Sequence, residues 1–349
     1  MITLMKGSLF AHTNHYLTVY LPTHRKVSPN TVRAYKESLN MLIDYIKDSK
    51  RIPLLDVTFS MLTAETILAF LDHLETERGC SISTRNSRLA AIRAFVTYVA
   101  AMDITAAIFL EELDKVPHKK PDKIEVVNYM TMNAVSSIAE QPNASTPKGL
   151  RDRFFIILMY DLGARCQEMI DIELCDLRFG ERTTITLHGK GGKDRAVPIM
   201  DNTTAYLKQY LNVFHKGEYT GSSRSLFYSE THGKLHPITD RRIRYMMKEY
   251  GEKAREHCTE VPENVHPHLF RHSRAMHLYQ GGMDLTLVSQ WLGHSQLETT
   301  QIYAHADTEH KRKAIAAATP GDSLLGKKLS PERFTVSDED TLKRLAGLR

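Results

Sequence analysis

Residues 268–303 read HLFRHSRAMHLYQGGMDLTLVSQWLGHSQLETTQIY, the densest run of chemistry-bearing side chains in the chain. His268 and Arg271 are three residues apart on a predicted helix, so their side chains project from one face. His294 precedes a capping-box pattern, so we expect it at the N-terminal end of a helix, where anions are favoured. Tyr303 follows about two helical turns further along. The run therefore predicts helices that present two histidines, an arginine and a tyrosine.

Two segments upstream carry further candidates. Arg165 follows a glycine turn and precedes Glu168 by three residues, so that the two side chains can share one helical face. Lys190 lies in a glycine-rich turn between two predicted strands, 184–188 and 196–199. The chain thus adds an arginine and a lysine to the first set.

This combination of residue types suits phosphoryl transfer to a protein hydroxyl. The transition state spreads negative charge over the phosphate oxygens, and two arginines can hold that charge through forked hydrogen bonds. A tyrosine has a pKa near 10 and needs nearby positive charge or a base before it attacks. A lysine can protonate the departing oxygen. No metal ion and no other cofactor is needed if these side chains supply the electrostatics.

In their order along the chain, these residues resemble the signature of the tyrosine recombinase (phage integrase) family. The resemblance covers residues 128–310, and the matching positions are Arg165, Lys190, His268, Arg271, the Leu292-Gly293-His294 run and Tyr303. It implies that Tyr303 attacks the scissile phosphate, forms a 3′-phosphotyrosyl bond and frees a 5′-hydroxyl. Because that bond keeps the phosphodiester energy, religation would need no ATP.

The resemblance also implies roles for the charged residues. Arg165 and Arg271 would clamp the phosphate, and His294 would donate to a non-bridging oxygen. Lys190 would be the general acid, although Lys193 in the same turn competes for that role.

His268 and Glu168 would support the residues that contact the phosphate. Several of the candidates can also be explained as ordinary structural residues. His268 would position the phosphate or accept the tyrosine proton, and Glu168 would fix Arg165 or His268. Taken alone, Arg165 with Glu168 is also an ordinary helical ion pair, and Tyr303 a core tyrosine. His268 and His272 could ligate zinc, but no HExxH glutamate and no cysteine pair completes a site. The coincidence of all the groups favours the catalytic interpretation.

The fold class predicted is mainly α with a small β-sheet or hairpin. Residues 1–104 read as a helical bundle that resembles the family's SAM-like core-binding domain. Residues 105–127 contain two prolines and several charges, which predict an extended interdomain linker. Residues 128–320 would form the α+β catalytic domain, and 321–349 a tail with a possible short helix.

The N-terminal bundle contains a candidate DNA-binding face. One helix is predicted to open at Ser28 and Pro29, a favourable cap, and another at Ser83. The second helix carries a polar face with residues that suit phosphate and base-edge contacts, Arg85, Asn86, Arg88 and Arg93. With the bundle starting near residue 8, the pattern is typical of the simple two-domain type, Xer-like or transposon-borne.

Composition sets the outer bounds. The formal charge of +5 is only mildly basic, so local basic clusters carry more weight than the total. Four cysteines without a CxxC pair argue against a disulfide framework and favour a reducing compartment. No secretory signal and no membrane span is apparent. The sequence predicts a bacterial cytoplasmic, nucleoid-associated protein.

The expected partners are double-stranded DNA with specific recombination sites and further copies of the chain. The family implies a tetramer on two synapsed sites, possibly with an accessory or partner recombinase. Leu342, Leu345 and Leu348 would form the apolar face of a tail helix inserted into a neighbouring protomer, unless the tail is disordered. Three rival functions remain: a type IB topoisomerase-like DNA relaxase, a catalytically idle DNA-binding protein and a metal-dependent hydrolase.

Overall fold

A computed structural model describes residues 9–103, 106–120, 128–189, 192–294, 300–303, 338–345 and 347. The chain divides into two compact units, Met1–Glu125 and Val126–Arg349. Helices dominate the described residues of both units, and every described strand lies in the second one. The predicted fold class, mainly helical with a small antiparallel sheet, is confirmed. No described helix is both long enough and apolar enough to cross a lipid bilayer.

The first unit is a bundle of helices. They are α1 (Leu9–His15), which continues as a π-helical stretch (Tyr16–His24), α2 (Pro29–Lys50), α3 (Ala64–Thr76), α4 (Ile82–Met102) and α5 (Ala107–Asp114). Ser28 caps α2 as predicted, since its Oγ accepts the Thr31 N–H at 3.2 Å and Pro29 takes the first helical position. Apolar faces of these helices, with Ile46, Phe70 and Phe95 fully buried, form one core.

The prediction of an extended linker over 105–127 is wrong for its first part, because α5 occupies Ala107–Asp114. Leu113 and Val116 are fully buried in the core of the first unit. Arg93 of α4 donates to the backbone carbonyls of both residues, at 3.0 and 2.6 Å. The prolines that suggested a linker come after this helix, so they do not oppose its burial.

The second unit contains α6 (Met132–Glu140), α7 (Pro147–Leu162), α8 (Cys166–Ile170), β1 (Leu177–Arg178), β2 (Thr184–Gly189), β3 (Lys193–Pro198), α9 (Asp201–Phe214), β4 (Tyr228–Thr231), β5 (Lys234–Pro237), α10 (Asp240–Arg255), α11 (Pro267–Gln280), α12 (Leu285–Leu292) and α13 (Glu339–Leu345). Helix α7 is buried on nearly every side and packs against α9 and α11. The core therefore surrounds α7, and α11 packs directly against it.

The predicted hairpin is present and belongs to a three-stranded antiparallel sheet of order β1-β2-β3. Strand β1 and the separate β4–β5 hairpin were not predicted. The β4–β5 turn has positive φ at both central residues, His232 (52°) and Gly233 (72°), which is the pattern of a type I′ turn. Histidine is an unusual residue for the first of these positions, so the turn carries a weak sequence signal.

Two glycines place the active-site candidates. Helix α7 ends at Gly163 (φ 59°) and α12 ends at Gly293 (φ 65°), both in the left-handed region that favours glycine. The N–H of His294 donates to Ser289 O at 3.0 Å, so His294 closes the C-terminal turn of α12. The capping box expected to follow it lies outside the described residues.

The C-terminal tail contains one described helix, α13. Helix α13 lies within the predicted tail, and Asp338 caps it, accepting the Thr341 N–H at 3.1 Å. The three leucines expected to form its apolar face lie outside the described side chains.

Candidate active site

Arg165 and Glu168 form the first part of the site. Arg165 is the N-cap of α8, and its backbone N–H donates to Glu168 Oε2 at 2.9 Å. Its Nη1 donates to Glu168 Oε1 at 2.7 Å, while the arginine side chain stays 36% exposed. The ion pair therefore fixes Arg165 without covering it, which leaves guanidinium N–H groups free to meet an anion.

Arg271 enters from α11 and is almost fully buried. Its Nη1 donates to Gly163 O at 2.9 Å and its Nη2 to Leu292 O at 2.7 Å, which ties together the ends of α7 and α12. His268, one turn earlier on the same face, is exposed.

Three arginines meet at the C-terminal end of α12. The successive carbonyls of Trp291, Leu292 and Gly293 accept from Arg195 (2.9 Å), Arg271 (2.7 Å) and Arg165 (3.4 Å), respectively. These carbonyls are the unsatisfied acceptors that every helix leaves at its C-terminus. Because His294 is the next residue, the structure brings it together with Arg165 and Arg271, which are distant in sequence.

The site is electropositive, and its surroundings lower the pKa values of its histidines. Burial, reinforced by Arg271 and Arg165, lowers the pKa of His294 to about 4. His268 is exposed as a whole residue, but partial desolvation of its ring, together with Arg271, also lowers its pKa. Burial alone would raise the pKa of Glu168, but hydrogen bonds from Arg195 and Arg165 hold it at about 2. Glu168 thus pairs with two guanidinium groups while Arg271 donates to backbone carbonyls, so positive charge is in excess and a bound anion is favoured.

His294 is also oriented by its neighbour in the helical stretch 300–303. Its Nδ1 lies 2.8 Å from Thr300 Oγ1, and Thr300 is fully buried. A hydrogen bond at Nδ1 leaves Nε2 as the ring nitrogen that can face a ligand.

Tyr303 is only 1% exposed and packs against Ala275, Val288 and Leu292. Its hydroxyl lies 2.9 Å from Nδ1 of His272. Burial raises its pKa to about 12, although Arg271 acts in the opposite direction. The nucleophile candidate is therefore next to the arginine cluster but covered, so its hydroxyl must leave His272 before it can attack a phosphate.

The lysine candidates for the general acid, Lys190 and Lys193, belong to the β2–β3 hairpin by their place in the sequence. Lys190 lies outside the described residues, between β2 and β3, whereas Lys193 is exposed at the start of β3. Next to the turn of this hairpin, His188 contacts Asp176 (2.9 Å) and Asp194 (3.1 Å), and hydrogen bonding to Asp176 raises its pKa.

Sequence reasoning missed two residues of this site. Arg195 was not singled out, although it lies between the glycine turn and the predicted strand 196–199, close in sequence to the lysine candidates. His272 was considered only as a zinc ligand. Its position one residue after Arg271 was the available signal. Within the described ranges, no group of three or more histidine, cysteine or acidic side chains could hold a metal ion.

In the first unit, the predicted DNA-contact residues bind protein groups. Arg85 is 1% exposed; its Nε pairs with Glu75 at 2.9 Å and its Nη1 donates to Pro117 O at 3.1 Å. Arg85 is therefore a structural residue, which corrects the expectation that it contacts DNA. A buried guanidinium is retained here because it is paired and hydrogen-bonded.

The other three candidates remain partly exposed but are also engaged. Arg88 donates to Ala34 O and Ser38 Oγ of α2 at 3.1 and 3.0 Å, and Asn86 donates to Lys119 O at 2.8 Å. Arg93 is held by the two carbonyls near α5 described above. These side chains connect elements within the unit, which sequence alone could not reveal because helix periodicity says nothing about local acceptors.

Comparisons with known proteins place these features in a family. Residues 128–310 match the model of the phage integrase family, and residues 15–102 match the phage integrase N-terminal SAM-like domain. The putative integrase/recombinase y4rC of Sinorhizobium fredii is 30% identical, with 86% of this chain and 88% of that protein covered. Tyrosine recombinase XerD of Staphylococcus epidermidis is 31% identical, with 86% and 96% covered.

Solved structures share the fold at lower identity. XerH site-specific recombinase bound to difH substrate, in a pre-cleavage complex, aligns with a TM-score of 0.63 at 20% identity, covering 87% of this chain and 84% of that one. The Tn1549 transposon integrase with transposon right-end DNA gives a TM-score of 0.63 at 19% identity, covering 88% and 98%.

Proposed function

This chain belongs to the phage integrase family of tyrosine recombinases, and we propose that it cuts and rejoins DNA at specific sites through a covalent bond between Tyr303 and a DNA phosphate. The observation that carries the proposal is the meeting of Arg165, Arg271 and His294 at the end of α12. Two guanidinium groups and an imidazole converge there, and Glu168 pairs with only one of the two guanidinium groups, which suits the charge that develops on a phosphate under attack.

Each residue then has one task. Arg165 and Arg271 hold the non-bridging oxygens, and neutral His294 donates from Nε2 to one of them. Tyr303 attacks phosphorus and forms the 3′-phosphotyrosyl bond while the bond to the 5′-oxygen breaks. Lys190 gives that oxygen its proton.

Two residues support these groups. His268 is exposed beside Arg271, where it can position the phosphate or take the proton of the attacking hydroxyl. Glu168 fixes Arg165. Religation reverses the chemistry: a 5′-hydroxyl of the recipient strand attacks the phosphotyrosyl bond, so no ATP is consumed.

The same proposal extends to assembly and context. Four strand cuts are needed to exchange two duplexes, so we infer a homotetramer on two synapsed sites, acting on DNA of the bacterial nucleoid. A partner recombinase is an option, since XerC and XerD proteins both occur among the relatives. The Tn1549 transposon integrase has the same fold. We propose that the outcome of the reaction is integration, excision, resolution or transposition of DNA.

The chemistry is tested with a nicked suicide duplex whose cut strand cannot religate. The duplex carries the site that the protein selects from a random-sequence library. Wild type should accumulate a denaturant-resistant protein–DNA adduct that peptide mapping assigns to Tyr303, and Tyr303→Phe should give none. Tyr245→Phe, which alters an exposed tyrosine of the same unit, is the matched control. An adduct on another residue, or none with wild type, would overturn the proposal.

A plasmid-relaxation assay distinguishes a recombinase from a topoisomerase-like enzyme. A topoisomerase-like enzyme would relax supercoiled plasmids that lack the selected site, whereas a recombinase should join two plasmids only when both carry it. Loss of discrimination between the two plasmid types would contradict site specificity.

The tail enters as a second proposal about assembly. We propose that residues 321–349 dock on a neighbouring protomer through Leu342, Leu345 and Leu348. Deleting 321–349 should weaken complexes that contain two DNA sites while single-site binding persists, as measured by analytical ultracentrifugation. Unchanged tetramer assembly would contradict this role.

A further inference from the structure

Arg195 is buried in the middle of the active-site cluster. It lies on β3 opposite Leu187 of β2, and its side chain is 13% exposed. Its Nη1 and Nη2 donate to the two carboxylate oxygens of Glu168 at 3.1 and 2.7 Å, and its Nε donates to Trp291 O at 2.9 Å. Three of its five N–H groups thus have protein acceptors, so this guanidinium holds protein groups in place.

We propose that Arg195 is a positioning residue for strand cleavage, holding Glu168 and the end of α12 so that Arg165 and His294 face one phosphate. The inference rests on the proposed function, because it concerns the same site. Two independent features of the geometry support it.

The first feature is the sharing of one carboxylate. Glu168 is 4% exposed and accepts from both Arg165 and Arg195. The forked contact belongs to Arg195, and such two-pronged pairs are the stronger and more directional kind. Without the contact from Arg195, the carboxylate of Glu168 would pair with Arg165 alone. Arg195 therefore keeps Arg165 from being neutralised before it meets a phosphate.

The second feature is the close approach to Gly293. A Cβ added at Gly293 would lie 2.8 Å from Nη1 and 3.1 Å from Cζ of Arg195. The guanidinium consequently packs on the backbone of the residue that precedes His294, while its Nε holds Trp291 two residues earlier. Loss of this packing would free the turn that aims the imidazole.

Arg195 belongs to the same hairpin as Lys190. The experiment must therefore distinguish an effect of Arg195 on the phosphate-binding residues from an effect on the proposed general acid, Lys190. A 5′-bridging phosphorothiolate at the scissile position does so. Its leaving group is a thiolate, which departs without a proton because a thiol pKa is near 8.5. A defect in the lysine is therefore cured by this substrate, whereas a defect in the phosphate clamp is not.

The test compares wild type, Arg195→Lys, Arg195→Met and Lys190→Ala in single-turnover adduct formation on suicide duplexes with oxygen or sulfur at the bridging position. Arg178→Lys, an exposed arginine on β1 of the same sheet, is the matched control. DNA affinity and the urea midpoint are measured for each variant.

We expect Arg195→Lys to form adduct about 100-fold more slowly, since a misplacement of about 1 Å has that effect, with DNA affinity and urea midpoint near those of wild type. The deficit should persist on the sulfur substrate, on which Lys190→Ala recovers. An Arg195→Lys rate within threefold of wild type, or its recovery on the sulfur substrate, would overturn the inference. Should the Met variant not fold, the Lys variant decides alone. If wild type itself forms no adduct, it is the proposed function that fails.

Discussion

The hydroxyl of Tyr303 lies 2.9 Å from His272 Nδ1 under a cover of apolar side chains, so the attack that we propose for Tyr303 has to begin with the opening of this contact. A neutral imidazole whose pKa is lowered to about 4 by burial is a poor acceptor for the proton of a tyrosine with a pKa of about 12. We therefore expect this contact to hold the proposed nucleophile in place and not to activate it.

Replacing His272 should release the stored tyrosine. His272→Leu removes the acceptor, and losing one hydrogen bond of about 1 kcal/mol should speed adduct formation on a suicide duplex about fivefold. His272→Gln keeps an acceptor and should stay near the wild-type rate. Adduct formation that is tenfold slower with Leu, together with a shifted pH–rate profile, would instead make His272 the proton acceptor.

The buried histidines also predict how acid destabilises the fold. The pKa values of His272 and His294 are lowered to about 4, mainly by burial, whereas the unfolded chain has values near 6.5. Between those values the unfolded state binds more protons, so these residues contribute stability above pH 6.5 that is lost as the pH falls towards 4.

Urea unfolding at pH 7, 6 and 5 checks this sign. Wild-type stability should fall steadily over the series, and His272→Gln should show a shallower decline because one of the titrating groups is gone. Equal slopes for the two proteins would show that His272 titrates normally in the folded state.

At the scale of elements, sequence patterns predicted what is set locally. The Ser28 cap and the β2–β3 hairpin follow from short-range chemistry, and the structure has them. The motif order also identified Arg165, Arg271 and His294, which the fold brings together. Helix α5 and the β4–β5 hairpin were missed, since one depends on burial against α4 and the other on a His232-Gly233 turn with little intrinsic signal.

The left-handed turn at Gly163 links helix geometry to the site. A Cβ there would lie 3.1 Å from Leu292 Cδ2, and the Gly163 carbonyl is an acceptor of Arg271. Gly217 has a similar positive φ of 77° but open space around it. Comparing alanine substitutions at Gly163 and Gly217 therefore separates two losses of stability, one from the backbone conformation and one from steric crowding.

Gly163→Ala should therefore lose more stability than Gly217→Ala in urea unfolding. Each substitution should lose about 1–2 kcal/mol from the left-handed conformation, and Gly163→Ala a further amount from the contact with Leu292. Only Gly163→Ala should also slow adduct formation, because it shifts an acceptor of Arg271. Equal losses of stability and unchanged cleavage would show that the turn does not support the site.

At the scale of the whole molecule, the catalytic unit was easier to predict than the DNA contacts of the first unit. The chemistry of phosphoryl transfer requires particular residue types in a fixed order, which a sequence displays. A phosphate contact requires only an exposed cation, and Arg85 satisfied the pattern while lying buried against Glu75. Exposure is set by tertiary packing, so the sequence could not distinguish a structural arginine from a DNA-binding one.

Exposed cations of the first unit lead to a different expectation for DNA binding. Arg33 and Lys36 are exposed on α2, beside the segment that Arg88 joins to α4, and neither has an ion pair among the described residues. We expect Arg33→Gln with Lys36→Gln to weaken binding to any duplex and to reduce the slope of log affinity against log salt by about 2, since each lost phosphate contact removes about 0.9. Lys47→Gln, at the far end of α2 and paired with Asp48 at 3.2 Å, should leave the slope unchanged.

Filter-binding titrations over a salt series measure the slope. Equal slopes for the double variant and wild type would show that this end of α2 does not bind DNA. A reduced slope with site preference intact would mean that these two side chains anchor the backbone while other groups read the bases.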